Sequence, residues 1–523
     1  MKFPAPLART LGSAAIVVAL AFSAGCTATD PGNGPTTSSP SSDAPKPTTS
    51  TTPAATAGAP EGFEDLYAQA VEWEDCDGGF ECATVEAPLS WQYPTAGTID
   101  LAVKRHPATG NKQGSLLVNP GGPGGSGVDY VTFAWSTFGE PLRDAFDVVG
   151  FDPRGVGAST PVRCFDDARK DKSLAMDFDL DDDAGLAAMA AEHAAWGAAC
   201  AESTGDLLGT VDTQSAARDM DLLRAVLGDE ALHYLGFSYG TQLGATYAGL
   251  FPERVGAMVL DGAIDVTLDA DAVSAGQAAG FELALRNYVT DCQGGAGCPL
   301  TGDVENGLRT VRQVLDRALT DPYPTSSNRR VTRNLAFYGV AVTLYDQGSW
   351  PALTQALEEV LTSGTGDTLL YLADFYNDRD PDGTFANNSA EAFRAVGCLD
   401  SRGTTDVAEM RAQVAEIEKV APTVGTFFGF SGLVCSDWPV PPVAQEFDLH
   451  AVGAPPIVVI GTTNDPATPY AWAQALADTF DSGVLVTYDG EGHTAYARSN
   501  DCILDAVDDF LVDGVVPADG LRC

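Results

Sequence analysis

The chain has 523 residues and carries 72 acidic against 29 basic side chains, a formal net charge of −43. Such an excess excludes nucleic acid as a partner and disfavours unassisted docking on anionic lipid. The length is ample for a core plus an inserted domain, and there is no internal repeat.

Residues 1–26 have the form of a signal peptide. Lys2 and Arg9 precede the apolar stretch Leu11 to Phe22, which has the length and flanks of a secretory h-region. It is too short, and too soon followed by polar residues, to span a membrane. Ser23-Ala24-Gly25-Cys26 follows, and Ala-Gly-Cys resembles the end of a bacterial lipobox, in which the cysteine is lipidated. Ser23 departs from the usual leucine, so cleavage and release is the alternative. The chain is thus expected to be exported, either held to the outer face of the cell membrane through Cys26 or secreted. Residues 27–60 are Thr-, Ser-, Pro-, Ala- and Gly-rich with few charges, a composition that cannot bury enough apolar surface to order itself. A flexible spacer is the expectation there.

Eleven cysteines are an odd number, and Cys26 is the one outside the globular region. The remaining ten are Cys76, Cys82, Cys164, Cys200, Cys292, Cys298, Cys398, Cys435, Cys502 and Cys523. They can pair completely in an oxidising compartment, though sequence alone leaves their connectivity open. Nearest-neighbour pairing is expected, because Cys76/Cys82 and Cys292/Cys298 would close tight loops. A zinc site is not expected, since there is no C-x-x-C and no second histidine accompanies the candidate clusters. No metal or cofactor is implied.

Ser115-Leu116-Leu117-Val118 reads as a strand, followed by the glycine-rich loop Asn119-Pro120-Gly121-Gly122-Pro123-Gly124-Gly125-Ser126-Gly127. So many glycines let backbone approach a substrate closely. A phosphate cradle is ruled out, because no Gly-Lys-Ser/Thr follows and the spacing is not G-x-G-x-x-G. Asp147 to Gly150 is the next strand, and Cys164 to Cys200 a small excursion. Within it, Asp177 to Asp183 lacks the glycine and glutamate spacing of an EF-hand and reads as a solvated acidic loop. Thr213 to Leu227 is helical. Ala231 to Leu235 is a buried strand running into Gly236-Phe237-Ser238-Tyr239-Gly240, after which small and apolar residues recur at helical spacing. Strand, sharp glycine-flanked serine turn, then helix is the context of a nucleophile elbow. Ala257 to Leu260 is a further strand. Ala270 to Asn287, Val304 to Leu319, Asn334 to Asp346, Trp350 to Leu361 and Thr405 to Val420 then form a helical stretch. Ile457 to Ile460 and Val484 to Val486 are the last core strands.

An elbow serine needs a base, and in this architecture the order is serine, acid, histidine. The five histidines are His106, His193, His233, His450 and His493, and only His450 and His493 follow Ser238. His450 precedes the strand Ile457 to Ile460, so no strand-then-acid unit fits ahead of it. His493 lies in the loop Gly490-Glu491-Gly492-His493-Thr494 at a strand end, where a solvent-reachable base belongs. His233 reads as an ordinary strand residue beneath the elbow. By the same logic Asp465, on the loop after Ile460, is the acid; it would hold the imidazole in the right tautomer. The bland alternative is that Asp465-Pro466 only opens a turn and caps the next helix. Asp437, Asp489 and Glu491 are weaker rivals: the first precedes the strand and the others crowd the histidine. The Tyr239 N–H, just after the nucleophile, is the first expected oxyanion donor.

The loop Asn119 to Gly127, Asp152-Pro153-Arg154-Gly155-Val156-Gly157-Ala158-Ser159, the elbow, Cys435-Ser436-Asp437-Trp438-Pro439, Asp465 and Gly492-His493-Thr494 together resemble the serine aminopeptidases of the prolyl-iminopeptidase type. Closer still, the chain looks like the secreted tripeptidyl aminopeptidases of actinobacteria, from about Glu61 onward. Prolyl iminopeptidases carry His-Gly-Gly-Pro in the glycine loop, whereas Pro120 stands at the histidine position here, which fits the tripeptidyl branch. The resemblance implies that Gly122 supplies the second oxyanion donor and that short N-terminal peptides, tripeptides foremost, are released.

The expected fold is α/β: an α/β-hydrolase with a mostly parallel sheet and a large helical cap inserted between nucleophile and acid. Its expected parts are core 61–265, cap 266–435 and core 436–523. A free ammonium at the substrate end would require a carboxylate in or beside the cap, with Asp437 and Glu391 as candidates. The expected partners are peptide substrates with a free N-terminus, and the enzyme is expected to be a monomer. An esterase or lipase would use the same triad. A non-catalytic binding protein on this scaffold is weakened by the presence of every catalytic part in order. Dehalogenase and epoxide hydrolase chemistry would need an aspartate at position 238.

Overall fold

The computed structural model describes residues 58–523 apart from Asp77 and Glu446. The leader, Cys26 and all but the last three residues of the spacer lie outside the described residues. Eight strands lead up to and along the sheet: β1 Glu74–Asp75, β2 Glu81–Pro88, β3 Thr98–His106, β4 Gly114–Asn119, β5 Phe146–Phe151, β6 Leu232–Phe237, β7 Val255–Asp261 and, much later, a strand at Ile457–Asn464. Between these, β8 Tyr323–Pro324 and β9 Arg330–Val331 make a separate two-stranded ribbon, so the late strand is β10. β11 Gly483–Glu491 and β12 Leu521–Arg522 complete the order β1-β2-β3-β5-β4-β6-β7-β10-β11-β12. β3 runs antiparallel to β2 and β5. From β5 to β12 the pairing is parallel.

Helices cover both faces, which is why the central strands are continuous apolar runs rather than alternating ones. The helices before the serine are α1 Glu64–Tyr67, α2 Gly127–Ala134, α3 Glu140–Ala145, α4 Asp167–Leu174, α5 Asp183–Thr204 and α6 Thr213–Val226, and α7 Tyr239–Leu250 follows it. On one face Leu117, Val149, Tyr234, Met258 and Val459 pack with α6 and α7 residues such as Leu223 and Leu243. On the other Leu116, Val118, Val148, Leu235 and Ile460 pack with Val131 of α2 and residues near the C-terminus. Those last include Val507 and Phe510 of α16 Asp501–Asp513, which follows α15 Tyr470–Thr479.

Between β7 and β10 lie α8 Ala270–Gly294, α9 Val304–Thr320, α10 Arg333–Leu344, α11 Trp350–Ser363, α12 Asp367–Tyr376, α13 Ser389–Asp400 and α14 Val407–Val420. α8 to α12 enclose an apolar core of their own around Leu285, Val311, Val340 and Leu357. The described disulfides join nearest neighbours: Cys76–Cys82, Cys164–Cys200, Cys292–Cys298, Cys398–Cys435 and Cys502–Cys523.

The Asp152-Pro153-Arg154 segment has a structural job. Arg154 is buried and clasps Asp219 of α6 through Nε to Oδ2 at 2.7 Å and Nη2 to Oδ1 at 2.5 Å, while also donating to the Pro88 and Thr210 carbonyls. Asp152 accepts from Ser126 Oγ at 2.6 Å and the Val128 N–H at 3.1 Å, which fixes the start of α2 and so the end of the glycine loop. The acidic run is less solvated than its composition suggests. Asp177 turns inward and accepts the Arg333 and Asn334 N–H groups at 2.8 Å each, serving the otherwise orphaned first turn of α10. Asp179 and Asp181 to Asp183 are exposed.

Candidate active site

β6 ends at Phe237 and α7 begins at Tyr239, so the whole turn is made by Ser238, at φ 57° and ψ −123°. A side chain at positive φ is strained and persists only where its surroundings over-determine it. The flanking glycines meet that need by leaving room: a Cβ on Gly236 would lie 2.5 Å from Gly240 O, and one on Gly240 2.8 Å from Asn119 O. The Ser238 N–H donates to Asp261 O at 2.9 Å, and Ser238 O accepts from Thr241 N at 2.8 Å and Thr241 Oγ1 at 2.6 Å.

The glycine loop lies directly against this turn. Gly121 has φ 96°, and a Cβ there would stand 2.9 Å from Ser238 Cβ and 3.0 Å from Tyr239 N. Its own N–H is taken by Asn119 Oδ1 at 2.9 Å. Among the described residues no hydrogen bond engages the N–H of Gly122, and Tyr239, first in α7, has no intrahelical acceptor for its own.

His493 follows β11 and is 7 % exposed. Its Nδ1 faces both Asp465 oxygens, at 2.9 Å to Oδ1 and 2.8 Å to Oδ2, with Thr468 Oγ1 at 3.2 Å. With the carboxylate on that side, a neutral imidazole places its hydrogen on Nδ1 and leaves Nε2 as an acceptor. Asp465 also accepts from Ala467 N at 2.9 Å, Thr468 N at 2.8 Å, Thr468 Oγ1 at 3.0 Å and Thr494 N at 3.2 Å. It therefore opens a turn and contacts the imidazole at once; α15 itself starts after Pro469, which makes no side-chain capping bond. The imidazole sits at the end of β7, beside the elbow: a Cβ on Gly262, next after Asp261, would lie 3.2 Å from His493 Cε1.

The helical insertion reaches the same loop. Tyr345 O accepts the His493 N–H at 2.9 Å, and the Tyr345 ring meets the imidazole edge-on at 5.4 Å. Arg498 donates to both His493 O and Tyr345 O. At the other end of the insertion, a Cβ on Gly124 would come within 2.8 Å of Ser389 O at the start of α13.

The remaining singled-out residues stand elsewhere. His450 is exposed, with Nδ1 2.9 Å from Thr479 O. His233 lies in β6, its protonation disfavoured by burial, and accepts from Ala257 N at 3.3 Å. His193 is pushed down to about 4 by burial and the nearby Arg394 charge. Asp489 pairs with Arg522 on the surface. Glu491, raised by burial, accepts 2.9 Å bonds from Asn287 and Asn464. Asp437 is exposed beside Ser436, and Glu391 is buried in a 2.9 Å pair with Lys170. A cavity of about 730 Å³ has Glu391, Lys170, Asp129 and Asp152 in its wall, with neither Ser238 nor His493 lining it.

Sequence reasoning missed Thr468, Tyr345, Arg498 and Asp261. Only Thr468 had a local signal, a threonine three residues after an aspartate, the spacing of a side-chain-bonded turn.

A strained serine between parallel strand and helix, under two unengaged N–H groups and beside a carboxylate-held histidine, belongs to the serine hydrolases of the α/β-hydrolase class. Residues 421–523 match the family described as TAP-like protein. Over 484 residues the chain is 37% identical to the serine protease Hip1 of Mycobacterium tuberculosis, covering 88% of this chain and 92% of that one. It is likewise 37% identical over 448 residues to carboxylesterase B of the same organism, covering 84% and 86% of the two chains. The tripeptidyl aminopeptidase of Streptomyces lividans is 29% identical over 471 residues, with 87% and 86% covered. The chain belongs to this TAP-like family of serine hydrolases. Among the described residues, no helix is long and apolar enough to cross a membrane.

Proposed function

We propose that the protein is an exported serine exopeptidase that cleaves short peptides, tripeptides foremost, from free N-termini. Ser238 Oγ attacks the scissile carbonyl while His493 Nε2 takes its proton, and the Gly122 and Tyr239 N–H groups hold the oxyanion. His493 then protonates the leaving amine, and water, activated by the same imidazole, releases the acyl group from Ser238. The observation that carries this reading is the Asp465–His493 pair at 2.8 Å, set at the strand end next to the elbow. The names of the protease and aminopeptidase relatives support peptides as substrates. The leader and Cys26 support export, with the spacer separating anchor from enzyme. The helical insertion, in direct contact with both the glycine loop and the His493 loop, acts as a cap that shapes the substrate end.

A second reading, an acyl hydrolase on small esters, is favoured by one finding: a carboxylesterase is as similar in identity as the protease. The test compares wild type and Ser238→Ala on a tripeptide anilide with its amino end free or acetylated, alongside a p-nitrophenyl ester. Serine-dependent cleavage of the free form alone is expected. Equal cleavage of both anilides would replace the exopeptidase with an endopeptidase or broad acyl hydrolase, and turnover of the ester alone would establish the esterase.

A further inference from the structure

Asp261 ends β7 and is wholly buried, at 0% exposure. Its main chain and its side chain point to different parts of the site. The carbonyl oxygen accepts the Ser238 N–H at 2.9 Å. The carboxylate accepts the Ala495 N–H at 3.0 Å to each oxygen and the Tyr496 N–H at 2.7 Å. Ala495 and Tyr496 are the second and third residues after His493, in a stretch where Thr494 and Ala497 both have positive φ, 69° and 61°. Two strained residues within four need an outside hold. Its carboxylate is met by those N–H dipoles, with the His493 imidazole nearby.

We propose that Asp261 is a positioning residue that sets nucleophile and base against each other, its backbone fixing Ser238 and its carboxylate fixing the loop that carries His493. The inference rests on Ser238 and His493 being nucleophile and base. A shift of the base by a fraction of its hydrogen-bond length spoils the proton transfer, so losing the hold lowers kcat rather than binding. The titratable groups around Asp261 are His493 and Tyr496 on the loop, Asp465 after β10 and the neutral Tyr130 on α2, with Asp508 of α16 one step further through the Tyr496 hydroxyl. Burial raises the Asp261 carboxyl to about 6, opposed by the Tyr496 and Ala495 N–H bonds. Protonation would weaken the hold, so activity on the acid side depends on two groups, the catalytic base and Asp261.

The test measures kcat and KM from pH 4.5 to 8 for wild type and Asp261→Asn on the substrate that wild type turns over, normalised to sites titrated by a fluorophosphonate. The amide keeps the shape but removes the charge and one acceptor. The expected result is a kcat lower by about 10–100-fold, KM within about twofold, and an acid limb of log(kcat/KM) whose steepest slope, above one in wild type, falls to about one. A variant with wild-type kcat and an unchanged slope overturns the proposal. Should Asp261→Asn not fold, the wild-type profile decides: a steepest slope above one supports the proposal and a slope nowhere above one overturns it. Failure of wild type itself to react with the phosphonate would instead strike the nucleophile assignment on which the inference rests.

Discussion

The serine and the histidine are held in opposite ways. Most holds on the Ser238 turn lie within a few residues: glycines on both sides, the Thr241 bonds to Ser238 O, and the Tyr234 hydroxyl on Gly240 O at 2.8 Å, with the Asp261 carbonyl on the Ser238 N–H coming from further along the chain. The His493 loop is held from far along the chain. Its contacts are Asp465, 28 residues away, Asp261, 234 residues away from Ala495, and Tyr345 in the helical insertion. The proposed nucleophile is a property of a motif, whereas the proposed base is a property of the assembled fold. Function therefore has more ways to fail on the histidine side.

The comparison breaks most sharply at Asp465. In Asp465→Asn an amide N–H can face Nδ1, so the imidazole is driven to the tautomer whose Nε2 is no longer a base. We expect kcat to fall by about 10²–10⁴-fold with KM little changed and the melting temperature within a few degrees. A loss under tenfold would mean that another carboxylate orients the imidazole. Arg498→Ala tests the tie between insertion and loop, because it removes donors to both His493 O and Tyr345 O. A drop in kcat/KM of about 3–30-fold is expected, milder because the Tyr345 O bond to the His493 N–H remains. Unchanged kinetics would show that the insertion lends the base no support.

The smallest effect falls behind the elbow and bears on stability. Asp400, at the end of α13, accepts the Thr213 N–H at 2.8 Å and the Thr213 hydroxyl, which also meets the Tyr239 hydroxyl. Burial, with Asp212 adding to it, raises the Asp400 carboxyl to about 7. A carboxyl raised on folding keeps its proton in the native state longer than in the unfolded one. Its contribution is therefore whole below the unfolded value of about 4 and is lost as pH rises towards 7. Asp400→Asn should remove this loss, giving about 1–3 kcal/mol at pH 8 and little at pH 4.5 relative to wild type. Denaturant melts at the two pH values check it, and an equal shift at both would show that charge is not the cause.

What was legible in the sequence follows the same division. The elbow was readable because its determinants occupy five consecutive residues, and the buried strands because each is an apolar run. Leu116 to Val118 sits inside β4, and Ile457 to Ile460 opens β10. Asp465 and His493 were reached by chain order and strand ends, and the structure brings them to 2.8 Å. β2 and β3 were not singled out, since half-exposed strands carry apolar residues at alternate positions rather than in a run. Asp261 could not be found at all: a strand-final aspartate looks ordinary until the loop that uses it folds onto it. Asp177 was misjudged for the same reason, as its acceptors' partners lie on α10.

The most direct measurement is mass spectrometry of the intact and digested protein after reaction with a fluorophosphonate, for wild type and His493→Ala. One phosphonyl group per wild-type chain, carried by Ser238, with labelling slowed at least about 10³-fold in His493→Ala, is the predicted result. Label on another residue, or equal rates in the two proteins, would contradict the assignment of Ser238 and His493 as nucleophile and base.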